Sequence, residues 1–491
     1  RQDHSGHHDR AVRLRRPATA EKYLRRAGRA LLFLTPLLLG MAGLWLLDGQ
    51  PFLDALFCCV SMYVLNYGDA PANLLVELAR WLAPVAAAGG VLMALRTVRE
   101  QAKGFLRYLR GDGVAVYGPE EERQRMVERL GARGMEGRED LLPARQYILL
   151  GEGEERFALC RRILQERPDG EVFLQCGDIP QGSQPRLHLF CPEEAGARLY
   201  WKERCLYQSS ARHEHRLKIA LVGFGPLGEH LLYYGLLDNI FHPAQRIEYH
   251  IFGSGARFRA VHPQLDQLGD PVVFHDEPWW ESLALLGQCQ RTLLLPQEGQ
   301  AAIARDLLLA VPGLSLEVFA GDAAVSLLEG REGLTLYPWL DRALEPENIL
   351  RDRLFAQAKD INLRYACLYA GAEDTPAARE AEWRKLDPFT RGSNISCADY
   401  HDIRRMMLSA MGLSAQAQQL DEETMDLLAH LEHIRWSRYH LLNNWRQGQP
   451  ENGRRKDPAA RIHADLVPYG ELDQGEKEKD RENIRLLLSI Q

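Results

Sequence analysis

The stretch Pro51–Asp69, with the sequence PFLDALFCCVSMYVLNYGD, lies between two apolar runs near the N-terminus. Its first part has the composition of a short apolar helix, which is too short to cross a bilayer. Its last part, Val64–Asp69, predicts an extended run. Irregular backbone is tolerated at membrane depth only where protein buries it or where it lines a water-filled cavity. The order of these segments therefore predicts a re-entrant loop at residues 51–69.

Two apolar runs flank this loop and predict membrane-spanning helices. The first run is Ala30–Leu47, and the second extends from about Leu74 to Leu95. The segments 1–29 and 98–111 are rich in Arg and Lys, which marks the cytoplasmic side of a membrane span. We therefore predict a basic cytoplasmic N-terminal segment at 1–29, a two-span pore domain at 30–97 and a linker at 98–111, with both chain termini in the cytoplasm.

The end of the loop resembles the selectivity filter of potassium channels, which reads TVGYG and is usually followed by Asp. The resemblance implies filter residues at Val64, Leu65, Asn66, Tyr67, Gly68 and Asp69. The last three match the family pattern, whereas the first three replace the Thr, the Val and the first glycine. Asn66 is among the residues that best tolerate a positive φ, so the loop can keep its fold while potassium selectivity is in question. The alternative is a turn in the outer loop of a two-helix membrane anchor.

The potassium-channel resemblance has two further implications. The second helix lines the inner pore in two-span channels and often bends at glycine, which makes Gly89 and Gly90 candidates for a gating hinge. The alternative is close helix packing, because small residues are common where membrane helices meet. One filter loop per chain implies a homotetramer around a conduction path for K+ or another monovalent cation. The expected location is the inner (plasma) membrane of a bacterium, as a multi-pass protein in contact with lipid.

Composition bounds the remaining function classes. The chain has 491 residues and a formal net charge of −7, which suggests several domains and gives no reason to expect a nucleic-acid partner. Its nine cysteines show no C-x-x-C spacing, and we predict no metal site. The sequence has no G-x-S-x-G, H-E-x-x-H or P-loop motif, so we predict that the chain is not an enzyme.

Residues 112–350 predict two α/β units with parallel sheets, because short apolar strands alternate with helical stretches. The boundary is placed between 112–212 and 213–350. The second unit opens with a strand at Lys218–Val222 that runs directly into a G-x-G-x-x-G motif. This motif predicts a phosphate-binding helix N-terminus formed by Gly223, Gly225 and Gly228. The strand that ends at Phe252 lacks the acidic residue that normally binds a dinucleotide's ribose.

Two Rossmann-like units after a pore helix resemble the RCK domains, the regulators of potassium conductance. This resemblance implies a cytosolic ring that binds a ligand, such as NAD(H) or an adenine nucleotide, and gates the pore. The alternative is a degenerate scaffold whose glycines serve only the packing of helix on strand.

The C-terminal part resembles the ryanodine-receptor repeat, or RyR domain. The matching segments are LEHIRWSRY at 431–439, NWRQG at 444–448, HADLVPY at 463–469 and EKEKDREN at 476–483. Asn444 replaces a turn glycine of that family. Upstream, Arg391 and Asp399 belong to a stretch that resembles the helical lead-in of such domains. We therefore predict a helical lead-in at 351–420 and a small, mainly α-helical RyR domain at 421–491.

Related repeats bind adenine nucleotides, so the resemblance implies a small-molecule sensor. Aromatic faces beside arginines are suited to stacking a purine and holding phosphates. The candidate ligand residues are Glu432, His433, Arg435, Trp436, Trp445, Tyr469 and Arg481. The alternative is that the aromatic residues form the core of a small domain and the charged run is a solvated helix face.

Together these features predict a ligand-gated, potassium-channel-like cation channel with a cytosolic α/β body. Two alternatives stay open. One is a membrane-anchored nucleotide sensor with a non-conducting pore, and the other is a membrane-tethered NAD-binding redox protein.

Overall fold

The structure is a computed structural model and describes residues 31, 33–177, 184–321, 324–350 and 353–490. The predicted basic segment 1–29 and two residues of the predicted first span, 30 and 32, lie outside the described residues. The chain divides into two compact units, Arg1–Arg110 and Gly111–Gln491.

The N-terminal unit is helical. Its helices are α1 (Phe33–Leu47, with a π-helical last part at Ala42–Leu47), α2 (Phe52–Met62) and α3 (Leu74–Arg110). Among the described residues, one helical segment, Leu74–Arg96, is long and apolar enough to cross a membrane, and α1 and α2 are shorter apolar helices. The segment 98–111, predicted as a linker, is helical as far as Arg110 because α3 continues without a break past Pro84 and the two glycines.

Two glycines allow α1 to pack closely against its neighbours. A Cβ on Gly40 would lie 2.6 Å from Cys59 Sγ of α2, and a Cβ on Gly43 would lie 2.6 Å from Val76 Cγ2 of α3. Asn73 joins the same contact, since its Nδ2 donates to Gly43 O at 2.9 Å and its Oδ1 accepts from Val76 N at 3.2 Å. The Asn73 side chain therefore both caps α3 and ties it to α1.

The C-terminal unit begins with a five-stranded parallel sheet. Its strands are β1 (Val114–Tyr117), β2 (Gly134–Glu136), β3 (Gln146–Leu149), β4 (Glu171–Gln175) and β5 (Leu187–Phe190). The strand order β2-β1-β3-β4-β5 is one of the two common doubly wound orders. The helices of this region are α4 (Glu120–Leu130), a 3₁₀ turn at Gly131–Arg133, α5 (Glu154–Glu166), α6 (Pro192–Arg204) and α7 (Tyr207–Arg212).

A second parallel sheet has six strands. These are β6 (Arg216–Val222), β7 (Arg246–Phe252), β8 (Val272–His275), β9 (Arg291–Leu294), β10 (Leu316–Phe319) and β11 (Leu334–Tyr337). The order β11-β10-β9-β6-β7-β8 is the Rossmann order, with the crevice between β6 and β9. Two Rossmann-like sheets were predicted, and this part of the prediction is confirmed. The short strands β2 and β8 were not predicted.

Helices connect and cover the second sheet. They are α8 (Pro226–Asp238), α9 (Ala256–Val261), α10 (Leu283–Leu286), α11 (Gln300–Ala310), α12 (Trp339–Ala343) and α13 (Pro346–Leu350), with 3₁₀ turns at Leu265–Gln267, Trp279–Glu281 and Val325–Leu328.

Helix α6 belongs to the core of the second sheet, although the predicted boundary put it in the unit 112–212. Trp201 is fully buried, and its Nε1 donates to Leu231 O of α8 at 2.8 Å. A Cβ on Gly235 of α8 would lie 3.1 Å from the Trp201 ring, so this helix pair is closely packed. Tyr200 reaches farther and donates to Glu317 Oε2 of β10 at 2.6 Å.

The C-terminal part is mainly helical. Its elements are α14 (Arg353–Ala370), α15 (Pro376–Lys385), α16 (Pro388–Ala410), a 3₁₀ turn at Ala417–Gln419, α17 (Glu422–Leu442), β12 (Arg446–Gln447), β13 (Lys456–Asp457), β14 (Ile462–His463), a 3₁₀ turn at Tyr469–Glu471 and α18 (Gln474–Ser489). Tyr400 and Ile403 of α16 and Leu431 and Tyr439 of α17 belong to one hydrophobic core with α6, α8 and the second sheet. The helices therefore share a core with the Rossmann-like fold.

Candidate functional site

The predicted filter loop begins with a helix-terminating turn. Asn66 N donates to Ser61 O at 2.9 Å and Leu65 N donates to Met62 O at 3.2 Å, which is the hydrogen-bond pattern of a Schellman motif at the end of α2. Leu65 has a φ of 58°, the left-handed conformation that this motif requires. The first residues of the loop are thus a turn, which differs from the extended run predicted for Val64–Asp69.

The turn changes the expected role of Asn66. We predicted that Asn66 takes the glycine-like conformation, but Leu65 occupies it because the helix cap places its C′ position one residue earlier. The loop is poorly supported within one chain. Val64 is 74% exposed, Leu65 is 78% exposed, and a Cβ on Gly68 would meet no atom within 4 Å.

The two glycines of the candidate hinge lie inside the unbroken helix α3. A Cβ on Gly89 would meet no atom within 4 Å, and one on Gly90 would make an ordinary contact with Phe33 at 3.7 Å. Within one chain, Gly89 therefore has no packing requirement for glycine.

The glycines of the G-x-G-x-x-G motif lie at the Rossmann crevice, as predicted from their position after β6. Gly223 has a φ of 91° and is crowded by Gln297, whose Nε2 donates to Val222 O at 2.9 Å. Gly225 is the N-cap of α8, and Pro226 follows it as the first helical residue. Proline has no N–H group, so the helix N-terminus lacks one of the amides that would bind a phosphate.

Aromatic side chains occupy the region where β6 and β7 end. Phe224 contacts Phe258 and Phe274 at ring-centre distances of 5.7 and 5.9 Å. Cβ atoms on Gly228 and Gly253 would lie 2.9 and 2.7 Å from Phe224, so both glycines make room for this ring. In a dinucleotide site this region receives the ribose and its acidic partner. Packing around Phe224 therefore accounts for Gly228 and Gly253, whereas a Cβ on Gly225 would meet no atom within 4 Å.

Two of the candidate ligand residues in the C-terminal segment form a buried ion cluster. Glu432 lies between Arg435, with Oε1 2.7 Å from Nη2, and Arg404 of α16, with Oε2 2.7 Å from Nη2. Burial alone would raise the pKa of Glu432, but the two guanidinium groups outweigh it and hold the pKa below its usual value. Arg435 also donates to Ser396 Oγ at 2.9 Å. Glu432 and Arg435 therefore join α16 to α17.

The aromatic candidates contact histidine side chains of α17. The Trp436 ring stacks on His433 at 5.5 Å and meets the edge of His463 at 4.8 Å. Trp445 is buried and stacks on Phe389 of α16 at 5.2 Å. His433 Nε2 donates to Val467 O at 2.8 Å. The structure brings these residues together, mostly by packing them against each other.

The last two candidates meet at a third residue, Asp426. Its Oδ1 accepts from Tyr469 Oη at 2.8 Å and from Arg481 Nη2 at 2.7 Å. Arg481 also lies 3.4 Å from Glu478 Oε2. This group ties α18 to α17, and the arginine predicted to hold phosphate is paired with carboxylates.

The sequence reading did not identify a buried ion pair between α6 and α16. Arg198 Nε donates to Asp399 Oδ2 at 2.6 Å, and Lys202 Nζ lies 2.8 Å from Asp399 Oδ1. Burial alone would raise the pKa of Asp399, but Arg198 and Lys202 hold it below its usual value. The sequence did place Asp399 and Arg391 in the helical lead-in. It could not show that Asp399 pairs with Arg198, because the two residues are 201 positions apart and meet only in the folded chain.

Beside this ion pair lies a cavity of about 540 Å³, which we call the junction cavity. Its wall is formed by β5, α6, α8 and the helices α13–α16, and the residues that line it include Arg198, Arg384 and Arg391. The volume is in the range typical of small-molecule sites. It lies where both Rossmann-like sheets meet the helical lead-in, a region in which no site was predicted.

Comparison with known proteins identifies one part of the chain. A family model of the RyR domain matches residues 408–490. Searches of curated proteins and of solved structures returned no match. The match begins inside α16, ahead of the predicted boundary at 421, and it includes all seven candidate ligand residues. Asn444, which replaces the family's turn glycine, has a φ of 65°, a conformation that asparagine tolerates. The C-terminal part of this chain is a RyR domain.

Proposed function

We propose that the chain is a ligand-gated, potassium-channel-like cation channel that assembles as a homotetramer, with a cytosolic body that senses a small molecule. The observation that carries the proposal is the order of helices in the N-terminal unit: a short apolar helix, an exposed loop and a long apolar helix. Helix α2 is too short to cross a bilayer, and Val64, Leu65 and Gly68 of the loop after it are exposed within one chain. An arrangement of this kind is stable at membrane depth when other copies complete it around a water-filled path.

Exposed apolar side chains of the N-terminal unit agree with this assembly. Leu53, Phe57, Trp81 and Leu92 are 74%, 71%, 67% and 68% exposed in one chain. Such a surface is stable only against lipid or against other copies. We propose that part of this surface contacts lipid and that part contacts other copies of the chain. The permeant ion is K+ or another monovalent cation.

The test is cation flux through the purified full chain in liposomes, measured with and without adenine nucleotides and NAD(H). Gly68→Val is the informative variant, because one chain has open space at Gly68 and only an assembled pore would be obstructed. Ala72→Val, at an exposed position of the same loop, is the matched control. We expect flux from the native chain and from the control, and at least about tenfold less from Gly68→Val. Absence of flux in every condition, or equal flux from all three proteins, would contradict the channel.

A membrane-anchored sensor with a non-conducting pore is the second candidate, and the Schellman turn favours it. The predicted filter at 64–69 needs its backbone carbonyls to line the pore, whereas Leu65 lies in a helix-terminating turn with a φ of 58°. The mass of the purified protein in detergent separates the candidates further, because the channel requires four copies and the anchor does not.

A further inference from the structure

The junction cavity combines aromatic side chains with a concentration of positive charge. Phe190, Phe355 and Trp383 supply aromatic surface. Four cationic side chains and two carboxylates line the cavity, so the lining carries an excess of two positive charges (4 − 2). The cations are Arg198, Lys359, Arg384 and Arg391, and the acids are Glu194 and Glu380.

The cations differ in how far the protein itself neutralises them. Arg198 is paired with Asp399 at 2.6 Å, and Lys359 is paired with Glu380 at 3.0 Å. Arg384 is exposed, and none of the ion pairs among the described residues includes it. Its charge is therefore available to a ligand at the edge of the cavity.

Arg391 lies deeper in the same wall. It is 9% exposed, and it donates to two backbone carbonyls, Trp383 O at 3.2 Å and Arg384 O at 3.0 Å. These bonds fix the guanidinium beside the C-terminal end of α15, where it adds to the charge of Arg384. Burial lowers the pKa of Arg391, a direction that an anion bound beside it would oppose.

A further polar atom of the wall has no partner. Nε2 of His188, on β5, is inaccessible to solvent and makes no hydrogen bond with the residues that the structure describes. Its ring stacks on Phe173 at 4.7 Å and is thereby held in place. A buried nitrogen without a partner is unfavourable, so the wall of the cavity contains a polar group that the described residues leave unsatisfied.

We propose that the junction cavity binds a small organic anion that carries a planar ring. The ring lies against the aromatic wall, and the anionic group lies near Arg384 and Arg391. This inference rests on the sensing role proposed above and places one sensing site outside the RyR domain. Helix α16 carries Arg391 in the cavity wall and Phe389, which stacks on Trp445 of the RyR domain. This helix therefore connects the cavity to the RyR domain.

Three probes divide the ligand into its parts: AMP has a ring and an anion, adenosine has the ring alone, and inorganic phosphate has the anion alone. Binding to the full chain in detergent is measured by calorimetry and by the shift of the thermal unfolding midpoint. We expect AMP to bind and to raise the midpoint more than either of the other two. Equal shifts with AMP and adenosine, or no shift with AMP, would overturn the proposal.

Two variants locate the binding. Arg384→Glu reverses the exposed cation and is expected to raise the Kd of AMP by about tenfold or more. Lys385→Glu is the matched control, since it makes the same charge change one residue along α15, outside the cavity wall, and is expected to leave the Kd within about twofold. Ala195→Phe fills the cavity from α6 and is expected to abolish binding without touching a charge.

AMP binding that survives both Arg384→Glu and Ala195→Phe lies elsewhere, for example in the RyR domain, and overturns the assignment to the cavity. The result is independent of conduction, because binding is measured without a membrane potential or a pore. Flux without cavity binding would refute this inference alone, and cavity binding without flux would refute the channel alone.

Discussion

Arg438 and Asp270 form a buried ion pair between the RyR domain and the second Rossmann-like sheet. Arg438 Nη2 lies 2.8 Å from Asp270 Oδ2, and its Nη1 donates to Leu236 O of α8 at 2.8 Å. The other oxygen of Asp270 accepts from Ile247 N of β7 at 2.7 Å. Both charged side chains are almost fully buried, so each depends on the other for compensation.

Arg438→Met tests this pair, because it removes the cation and leaves the Asp270 carboxylate buried. We expect the free energy of unfolding to fall by about 3–5 kcal/mol, the usual cost of an uncompensated buried charge. The measurement is urea unfolding of the full chain in detergent. Arg454→Ala, at an exposed position of the same domain, is the control and is expected to change stability by less than about 0.5 kcal/mol. Similar losses in the two variants would show that the pair contributes nothing specific.

Gly392 of α16 makes room for the hydroxyl group of Tyr439 of α17. A Cβ at this glycine would lie 2.3 Å from Tyr439 Oη, which donates to Phe389 O at 2.6 Å. Gly392→Ala is therefore expected to lower the free energy of unfolding by about 1–3 kcal/mol. Gly470→Ala, where the added methyl group meets open space, is the control.

Tyr439→Phe provides the second arm of this test. It removes the oxygen that collides with the new methyl group, so Gly392→Ala should be less destabilising in the Tyr439→Phe background than in the native one. A thermal-unfolding cycle of the four proteins measures the difference, expected at about 1 kcal/mol or more. Additive effects of the two substitutions would refute the steric explanation.

Asp480 of α18 predicts a pH dependence of stability. Burial, together with Glu432, Glu476 and Asp465, raises its pKa to about 7, against the opposing effect of Arg435. The folded chain therefore holds a proton on this group that the unfolded chain releases above about pH 4. Unfolding releases a proton in this range, so the contribution of the group to the free energy of unfolding falls as pH rises from about 4 to about 7.

Asp480→Asn removes that pH-dependent loss. At pH 8 we expect the variant to be more stable than the native chain by about 1–3 kcal/mol, and we expect little difference at pH 4. Thermal unfolding of both proteins from pH 4 to pH 8 measures this difference in stability. Glu482→Gln changes an exposed acid of the same helix and should leave the pH slope unaltered. An unchanged slope in Asp480→Asn would mean that Asp480 is ionised in the folded chain.

The backbone conformation of Leu65 predicts a stabilising substitution in the N-terminal unit. Its φ of 58° is unfavourable for a residue with a side chain and suits glycine at the C′ position of a Schellman motif. Leu65→Gly is expected to increase stability by about 1 kcal/mol, whereas Leu65→Ala, which keeps the Cβ, should not. Thermal unfolding in detergent compares them. A loss of stability with glycine would indicate that the loop takes another conformation in the assembled protein.

The local sequence pattern was sufficient to predict most strands of the two Rossmann-like sheets. The strand Lys218–Val222 and the glycine turn after it were predicted because a buried strand is a continuous apolar run and Gly223 must adopt a positive φ. The strand Gly134–Glu136 was missed because three residues carry too little periodicity to separate a strand from a loop. The turn at Leu65 was missed because leucine is an unusual residue at a C′ position.

The candidate sites were harder to predict than the fold. The RyR domain was identified from segments that lie close together in the sequence. Packing decides whether the Arg435 side chain faces a ligand or pairs with Glu432. In the structure Arg435 Nη2 donates to Glu432 Oε1 at 2.7 Å. The junction cavity draws its wall from β5, α6, α8 and α13–α16, so its charges meet only after the chain has folded. The ion pair of Arg198 with Asp399 beside it has the same origin.

The common core of α16, α17 and the second sheet has a practical consequence for work on this protein. An excised fragment that begins at residue 408 would sever α16 within its own length and leave Tyr400, Ile403 and Met407 behind, exposing on both pieces apolar surface that is now internal. Such fragments are expected to aggregate, and domain exchange with other proteins should cut ahead of α14. In the intact chain, any rotation of the RyR domain would move the second Rossmann-like sheet with it, because both are built on the same core.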